Sequence, residues 1–328
     1  MTPRAALSVL DFCTIYEGES PSQSMARSVE LAQRAETLGF ERMWYTEHHN
    51  MPSISSSSPA VLIAHIGAKT ERIRLGSGGV MLPNHAPYVI AEQFGTLAEL
   101  YPGRIDLGLG RAPGTDMQTL GRALRRDRNA AERFPEDVKE LQGYLSGKSL
   151  VPGVKAIPGH GTNVPIYILG SSLFGASLAA KFGLPYAFAS HFAPQHLEAA
   201  TAYYRENYQP SEAHPEPYVI AGVNVTAGDN AEEEFEKVCF RRVKAFAGRG
   251  KQLSDADVAR IIDSPQGQQI IGMMKYSAVG TIEHVREYLT EFQELAQADE
   301  LMISLQSTSH EAALSNMVNL AQAWQMQV

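Results

Sequence analysis

Between Arg72 and Arg111 the chain carries two short apolar runs, each leading into glycines, with a helix-like stretch between them. Ile73-Arg74-Leu75 opens into Gly76-Ser77-Gly78-Gly79, and residues 105–109 end in Gly110-Arg111. Residues 88–101 place apolar side chains at helical spacing without an internal proline. This order predicts a strand, a crossover helix and a parallel strand, because parallel neighbours need a long connection between them. Glycine at the strand ends removes the Cβ that blocks close approach, so a flat or bulky group is expected against that backbone.

The same alternation runs the length of the chain. Further strands are predicted at 7–12, 42–46, 164–169, 186–189, 218–225 and 301–305, which brings the total to eight. Helical patterns lie at 22–38, 59–69, 129–145, 172–182, 194–207, 231–246, 281–296 and 310–324, with Gly39 and Gly183 as stop signals. Near-continuously apolar strands alternating with helices indicate an α/β fold with a covered parallel sheet, and eight units predict a closed (β/α)8 TIM barrel. The 328 residues suit one such domain over 1–328, with insertions at about 112–128, 146–162 and 248–278. The last is expected to carry short helices around 255–262 and 266–274 and to act as a lid or binding loop.

Composition narrows the function class. Hydrophobic residues make up 44% and charged residues 20%, as in an ordinary globular enzyme, and the net charge of −8 argues against a nucleic-acid partner. Arg122, Arg125, Arg126 and Arg128 form the one dense basic cluster, expected as a solvated helix face or loop. Cys13 and Cys239 have no CxxC or zinc-ligand spacing and read as buried small hydrophobes in a reducing compartment. The first ten residues lack the long apolar core of a signal peptide, and no run approaches about 18 uncharged apolar residues. A cytoplasmic protein without membrane contact is expected.

In a barrel of this kind, chemistry sits at the C-terminal ends of the strands. Those ends carry Asp11-Phe12-Cys13, Glu47-His48-His49, Gly78-Gly79, Gly110-Arg111, Gly170-Ser171-Ser172, Ser190-His191-Phe192, Asn224 and Gln306. Gly170-Ser171-Ser172 opens a helix directly after a buried strand. Free amides, the positive end of the dipole and two hydroxyls make a phosphate site there, although Ser171 or Ser172 also suits a plain N-cap. Arg111 at the neighbouring strand end favours the ligand. The run Gly108 to Gly114 has GxGxxxG spacing interrupted by Pro113, which argues against a Rossmann dinucleotide site. In Glu47-His48-His49, neighbouring side chains on extended chain point to opposite sides, so one histidine faces the centre. No HxH or HExxH spacing supports a metal, and one inward histidine suits proton transfer or hydrogen bonding.

Trp44-Tyr45-Thr46-Glu47-His48-His49, the glycine-rich stretches 75–83 and 103–111, and Ile168-Leu169-Gly170-Ser171-Ser172 followed by Gly183-Leu184-Pro185 occur in this order. Together they resemble the bacterial luciferase-like monooxygenase family of flavin-dependent oxidoreductases, from the first strand to the last helix. The resemblance implies reduced FMN and dioxygen, with one oxygen atom passed to a small organic substrate through a flavin hydroperoxide. It implies NAD(P)H as reductant through a separate flavin reductase, and a homodimer formed through the helices at 22–38 and 59–69. By the same resemblance His48 is the catalytic histidine, and Gly78-Gly79 is a cis peptide behind the isoalloxazine. Gly110 stands beside the ring, where relatives have a larger residue, and Gly170, Arg111, Ser171 and Ser172 make the phosphate cradle. Phe12, Cys13, Trp44, Met81, Tyr167 and Phe192 suggest a partly apolar substrate cavity. The alternatives are a deazaflavin (F420)-dependent hydride-transfer enzyme of the same superfamily and a flavin-binding protein without catalysis.

Overall fold

The computed structural model describes residues 4–127, 129–248 and 253–326. Eight parallel strands close into a barrel: β1 (Ala6–Asp11), β2 (Arg42–Tyr45), β3 (Arg74–Met81), β4 (Ile105–Gly110), β5 (Ile166–Gly170), β6 (Tyr186–Phe188), β7 (Val219–Ala227) and β9 (Glu300–Leu305). They pair in that order, and β9 returns to β1 with Ala6 opposite Glu300. This is the expected (β/α)8 barrel. Its outer helices are α1 (Pro21–Thr37), α2 (Pro59–Gly67), α3 (Pro87–Leu100), α4 (Phe134–Leu145), α5 (Leu173–Phe182), α6 (Leu197–Glu206), α7 (Ala231–Gly248), α10 (Ile282–Ala296) and α11 (His310–Ala323).

Three boundaries depart from the sequence reading. β3 does not stop at Leu75 but continues through the glycines to Met81, with its register against β4 shifting between Ser77 and Val80. Gly78 and Gly79 therefore occupy a bulge inside a strand, and the peptide bond between them is cis. Secondly, α4 begins at Phe134 instead of residue 129, because Pro135 is accommodated in a first turn and the preceding residues form turns. Thirdly, the insertion at 248–278 ends in a ninth strand, β8 (Ser277–Gly280). β7 is nine residues long and pairs with β6 only as far as Ala221, so its outer half from Asn224 to Ala227 takes β8 as partner. Residues 249–252 of that insertion lie outside the described residues. The remainder forms α8 (Asp255–Ile262) and α9 (Pro265–Gly272), packed on α7 through Val243, Val258 and Ile270.

Inside the barrel, alternation along each strand sorts the side chains into layers. The lowest layer is ionic. Arg42, the first residue of β2, bonds Glu300 of β9 through Nε at 2.8 Å and Asp106 of β4 through Nη1 at 2.7 Å. Arg74 also pairs with Asp106, and the Tyr218 hydroxyl donates to Glu300 at 2.8 Å. Burial opposes the charge on Arg42, but Glu300 and Asp106 outweigh it and keep the guanidinium protonated. Above lies an apolar layer of Leu10, Trp44, Tyr167, Ala187, Ile220 and Met302, with the Trp44 and Tyr167 rings edge to face at 5.1 Å. This closed floor leaves the C-terminal mouth as the place where side chains can meet a ligand.

Candidate active site

The glycines of β3 and β4 are set first by the barrel's own packing. A Cβ on Gly76 would lie 2.6 Å from Trp44 Nε1, on Gly78 2.6 Å from Leu10 Cδ1, and on Gly108 2.2 Å from the Ser77 carbonyl oxygen. One on Gly79 would lie 2.7 Å from the Gly108 carbonyl oxygen. Protein atoms therefore fill the Cβ space at these four positions. At Gly110 the neighbour is the end of Met81, whose Cε would lie 2.9 Å from a Cβ, so a flexible thioether occupies the volume that a larger residue here would take.

The segment after β2 divides its two histidines as extended geometry requires. The His48 ring lies 5.8 Å from the Phe12 ring, and its Nδ1 is 3.1 Å from Thr46 Oγ1. Burial, reinforced by the charge on His49 and opposed by that on Glu47, pushes the His48 imidazole down to about 4. It is neutral at pH 7. His49 turns the other way and meets the buried Glu47 carboxylate at 2.9 Å, while His85 reaches the same oxygen at 2.8 Å. Glu47 Oε2 accepts the Met81 N–H at 3.0 Å, just beyond the bulge. Burial works against this carboxylate, yet the hydrogen bonds from His49 and His85, the charge on His85 and the Met81 amide hold it down at about 2.

The loop after β4 folds back over this segment. The His49 N–H donates to the Gly114 carbonyl at 3.0 Å, and Asn50 Nδ2 donates to Asp116 at 3.0 Å. A Cβ at Gly114, where φ is +66°, would strike the Glu47 carbonyl oxygen at 2.7 Å, so both conformation and space demand glycine. Of the basic cluster, Arg126 donates to Asn84 Oδ1 at 3.1 Å and to the Arg111 carbonyl at 3.3 Å, whereas Arg122 and Arg125 are exposed. Arg128 lies outside the described residues.

At the end of β5, Ser172 is the N-cap of α5, with extended dihedrals and no side-chain hydrogen bond into the first turn. Ser20, Ser254, Ser264, Thr281 and Ser309 each make that bond at their own helices, whereas Ser58 and Ser172 do not. The first turn of α5 is further marked by Arg111, whose guanidinium carbon lies 3.9 Å from the centre of the Phe174 ring. The structure thus brings Arg111 to the turn opened by Gly170, Ser171 and Ser172. Cys13 is buried and inert: burial first, then the Asp11 charge, pushes its thiol well above the ordinary range.

The side of the mouth at β6 and β7 is polar and tightly packed. The His191 ring lies 6.1 Å from Phe12, and its Nδ1 abuts Gly222, where a Cβ would come within 2.3 Å. Asn224 Nδ2 donates to the His191 carbonyl at 2.9 Å, and Gln306 Nε2 donates to Asn224 Oδ1 at 2.9 Å and to Ser304 Oγ at 2.7 Å. A separate groove of about 780 Å³ runs outside the barrel between Tyr16, Arg27, Arg241 and His310, and none of the sequence-predicted site residues lines it. Among the described residues no group of three or more His, Cys, Asp or Glu is placed to hold a metal ion.

The sequence profile described as luciferase-like monooxygenase matches residues 8–298. The chain belongs to the luciferase-like monooxygenase family. A luciferase-like monooxygenase of Escherichia coli is 44% identical over 315 residues, covering 94% of either chain. The N-acetyl-S-alkylcysteine monooxygenase of Bacillus subtilis is 32% identical over 305 residues, covering 87% of each. Among solved structures, apo-MsnO8 superposes with a TM-score of 0.88 at 32% identity over 99% of both chains. At 17% identity and a TM-score of 0.72, the FMN complex of the oxygenating component of 3,6-diketocamphane monooxygenase from Pseudomonas putida shares the fold over 99% of each chain. An F420-dependent secondary alcohol dehydrogenase shares it too, with a TM-score of 0.74, 15% identity, and 98% and 99% coverage.

For this luciferase-like chain, sequence reasoning missed His85, the second imidazole on Glu47, and Arg242 on α7 beside Phe192. His85 follows Asn84 in a 3₁₀ turn and has no local pattern to mark it. Arg242 sits in a charged amphipathic helix, where a solvated face is the ordinary reading.

Proposed function

We propose that the chain is an FMN-dependent monooxygenase that places one atom of dioxygen on a small organic substrate. The observation that carries this reading is the meeting of Arg111 with the N-terminus of α5, where the Ser172 hydroxyl is not spent on capping. A guanidinium, two serine hydroxyls and the free amides of a helix start suit a terminal phosphate such as that of FMN. Arg111, Gly170, Ser171 and Ser172 would hold that phosphate, and the backbone of Gly78, Gly79 and Gly110 would line the isoalloxazine. Reduced FMN, when bound, supplies the electrons with which dioxygen is split between product and water.

The chain's own contribution is position, dryness and a proton. His48, neutral at pH 7 and anchored through Nδ1 on Thr46, presents Nε2 to hydrogen-bond or transfer a proton at the reacting oxygen or substrate. Glu47 positions this segment against Met81 without touching the substrate. The helices of the 248–278 insertion act as the lid that excludes water. The same reading places the chain in the cytoplasm as a homodimer, with reduced FMN delivered by a separate NAD(P)H-dependent flavin reductase.

The F420 alternative draws on exposed Arg122 and Arg125, but Arg126 is committed to Asn84 and the Arg111 carbonyl, which leaves less free positive charge for an acidic cofactor tail. The test is incubation with chemically reduced FMN and ¹⁸O₂ against a panel of thioethers, aldehydes and aromatic compounds. An N-acetyl-S-alkylcysteine comes first, since a relative is named for that substrate. A product carrying one ¹⁸O supports the reading. Oxygen consumption at the uncoupled rate with every compound favours a flavin carrier.

A further inference from the structure

Arg242 is a cation without a counter-charge. It lies on α7, and its guanidinium carbon stands 5.8 Å from the Phe192 ring centre and 5.4 Å from that of Phe246. Its Nε is buried with no hydrogen-bond partner, and no carboxylate among the described residues lies within ion-pair distance. The neighbouring Arg241 is different: it donates to the carbonyls of Thr308 at 3.0 Å and Ser307 at 3.3 Å. Burial lowers the Arg242 guanidinium, opposed only by Cys239, so its charge is held at a cost that no neighbouring acid offsets.

Arg242 also belongs to the mouth. Phe192, which it faces, follows His191 in the β6 loop, and the His191 ring leads through Phe12 to His48 at centroid spacings of 6.1 and 5.8 Å. Burial, then the Arg242 charge, then the His48 charge, push the His191 imidazole down to about 3, so it stays neutral and adds no positive charge. The resulting wall is aromatic and uncharged from His48 to Phe192 and ends in one unpaired guanidinium.

We propose that Arg242 is the anchor for an anionic substrate, a small organic acid whose carboxylate pairs with the guanidinium while its apolar body lies along Phe192 and Phe12 toward His48. The assignment of this acid as the oxygenated substrate rests on the FMN monooxygenase reading, whereas its binding does not. The pair would be a charge-assisted hydrogen bond flanked by the half-exposed Phe192 and Phe246 rings.

Calorimetric titration of the FMN-loaded protein with hexanoate and with its neutral isostere hexanamide tests this. Hexanoate is expected to bind at least tenfold tighter than hexanamide, and R242Q is expected to abolish the difference while leaving hexanamide binding, FMN affinity and melting temperature unchanged. Equal binding of the two probes to the wild type overturns the proposal, as does a preference that survives in R242Q. An equal loss of FMN and hexanoate affinity in R242Q also overturns it, by placing Arg242 at the cofactor phosphate. If R242Q does not fold, the wild-type comparison decides alone. A hexanoate preference in a wild-type protein that fails to bind FMN supports the anchor and counts against the proposed function.

Discussion

The Arg111 guanidinium lies over the Phe174 ring at 3.9 Å, which ties the end of β4 to the first turn of α5. The ring pre-orients the cation without consuming its N–H donors, so they remain available to a phosphate. Arg111→Ala is expected to weaken FMN binding by tenfold to a hundredfold, on the order of 1.5–3 kcal/mol for a charged hydrogen bond. Phe174→Ala should cost less, about 0.5–1 kcal/mol for an exposed cation–π contact. Flavin fluorescence titration measures both, and equal affinities in wild type and Arg111→Ala would remove Arg111 from the site.

His48 titrates near 4, so its proton inventory does not change between about pH 5.5 and 8. His48→Ala should leave FMN bound and reduce substrate oxygenation by about 10²–10⁴-fold, the range for loss of a positioned acid–base group. The wild-type rate of oxygenation should show no His48 titration near pH 6.5. Single-turnover kinetics across pH reads this directly, and a rate inflection near 6.5 that disappears in His48→Ala would contradict the buried, neutral imidazole.

Glu47 governs acid stability. Its folded pKa of about 2 lies below the ordinary 4.5, so the stabilisation is present above pH 4.5 and is lost as pH falls toward 2. A shift of this size corresponds to roughly 3 kcal/mol. Denaturant melts of wild type should lose stability across that window. Glu47→Gln should be less stable than wild type at pH 7, with the gap narrowing as pH falls; a constant gap from pH 6 to 3 would sink this account.

The ionic floor predicts an asymmetry. Arg42→Met leaves the buried Glu300 carboxylate without its cation and should destabilise by about 3–5 kcal/mol, the usual cost of stranding one member of a buried pair. The replacement of Arg42, Asp106 and Glu300 together by apolar residues of similar volume should cost less than Arg42→Met alone. Urea unfolding of the two variants compares them, and a larger loss in the triple variant would argue that the charges are net stabilising.

The barrel was legible because its strands are short, largely apolar runs that alternate with helices carrying an apolar face. What the pattern missed has local causes. Ser277-Ala278-Val279-Gly280 is too short and too small-sided to read as a strand, and pairs only because β7 outruns β6. The glycines of β3 and β4 read as openings for a ligand, whereas Trp44, Leu10 and backbone carbonyls claim their Cβ space, a packing fact that no window of sequence contains. Arg42, Asp106 and Glu300 sit at or near strand starts that sequence treats as edges, although 258 residues separate Arg42 from the Glu300 it bonds. By contrast, the opposite facing of His48 and His49 followed from strand geometry alone, and so did the meeting of Arg111 with the helix that Ser172 opens.

Under the proposed function this site takes FMN and not its deazaflavin counterpart. Competitive titration of the purified protein with FMN and F420, followed by flavin fluorescence, tests this. Saturable one-to-one FMN binding that excess F420 does not displace is expected, and tight F420 binding that excludes FMN would contradict it.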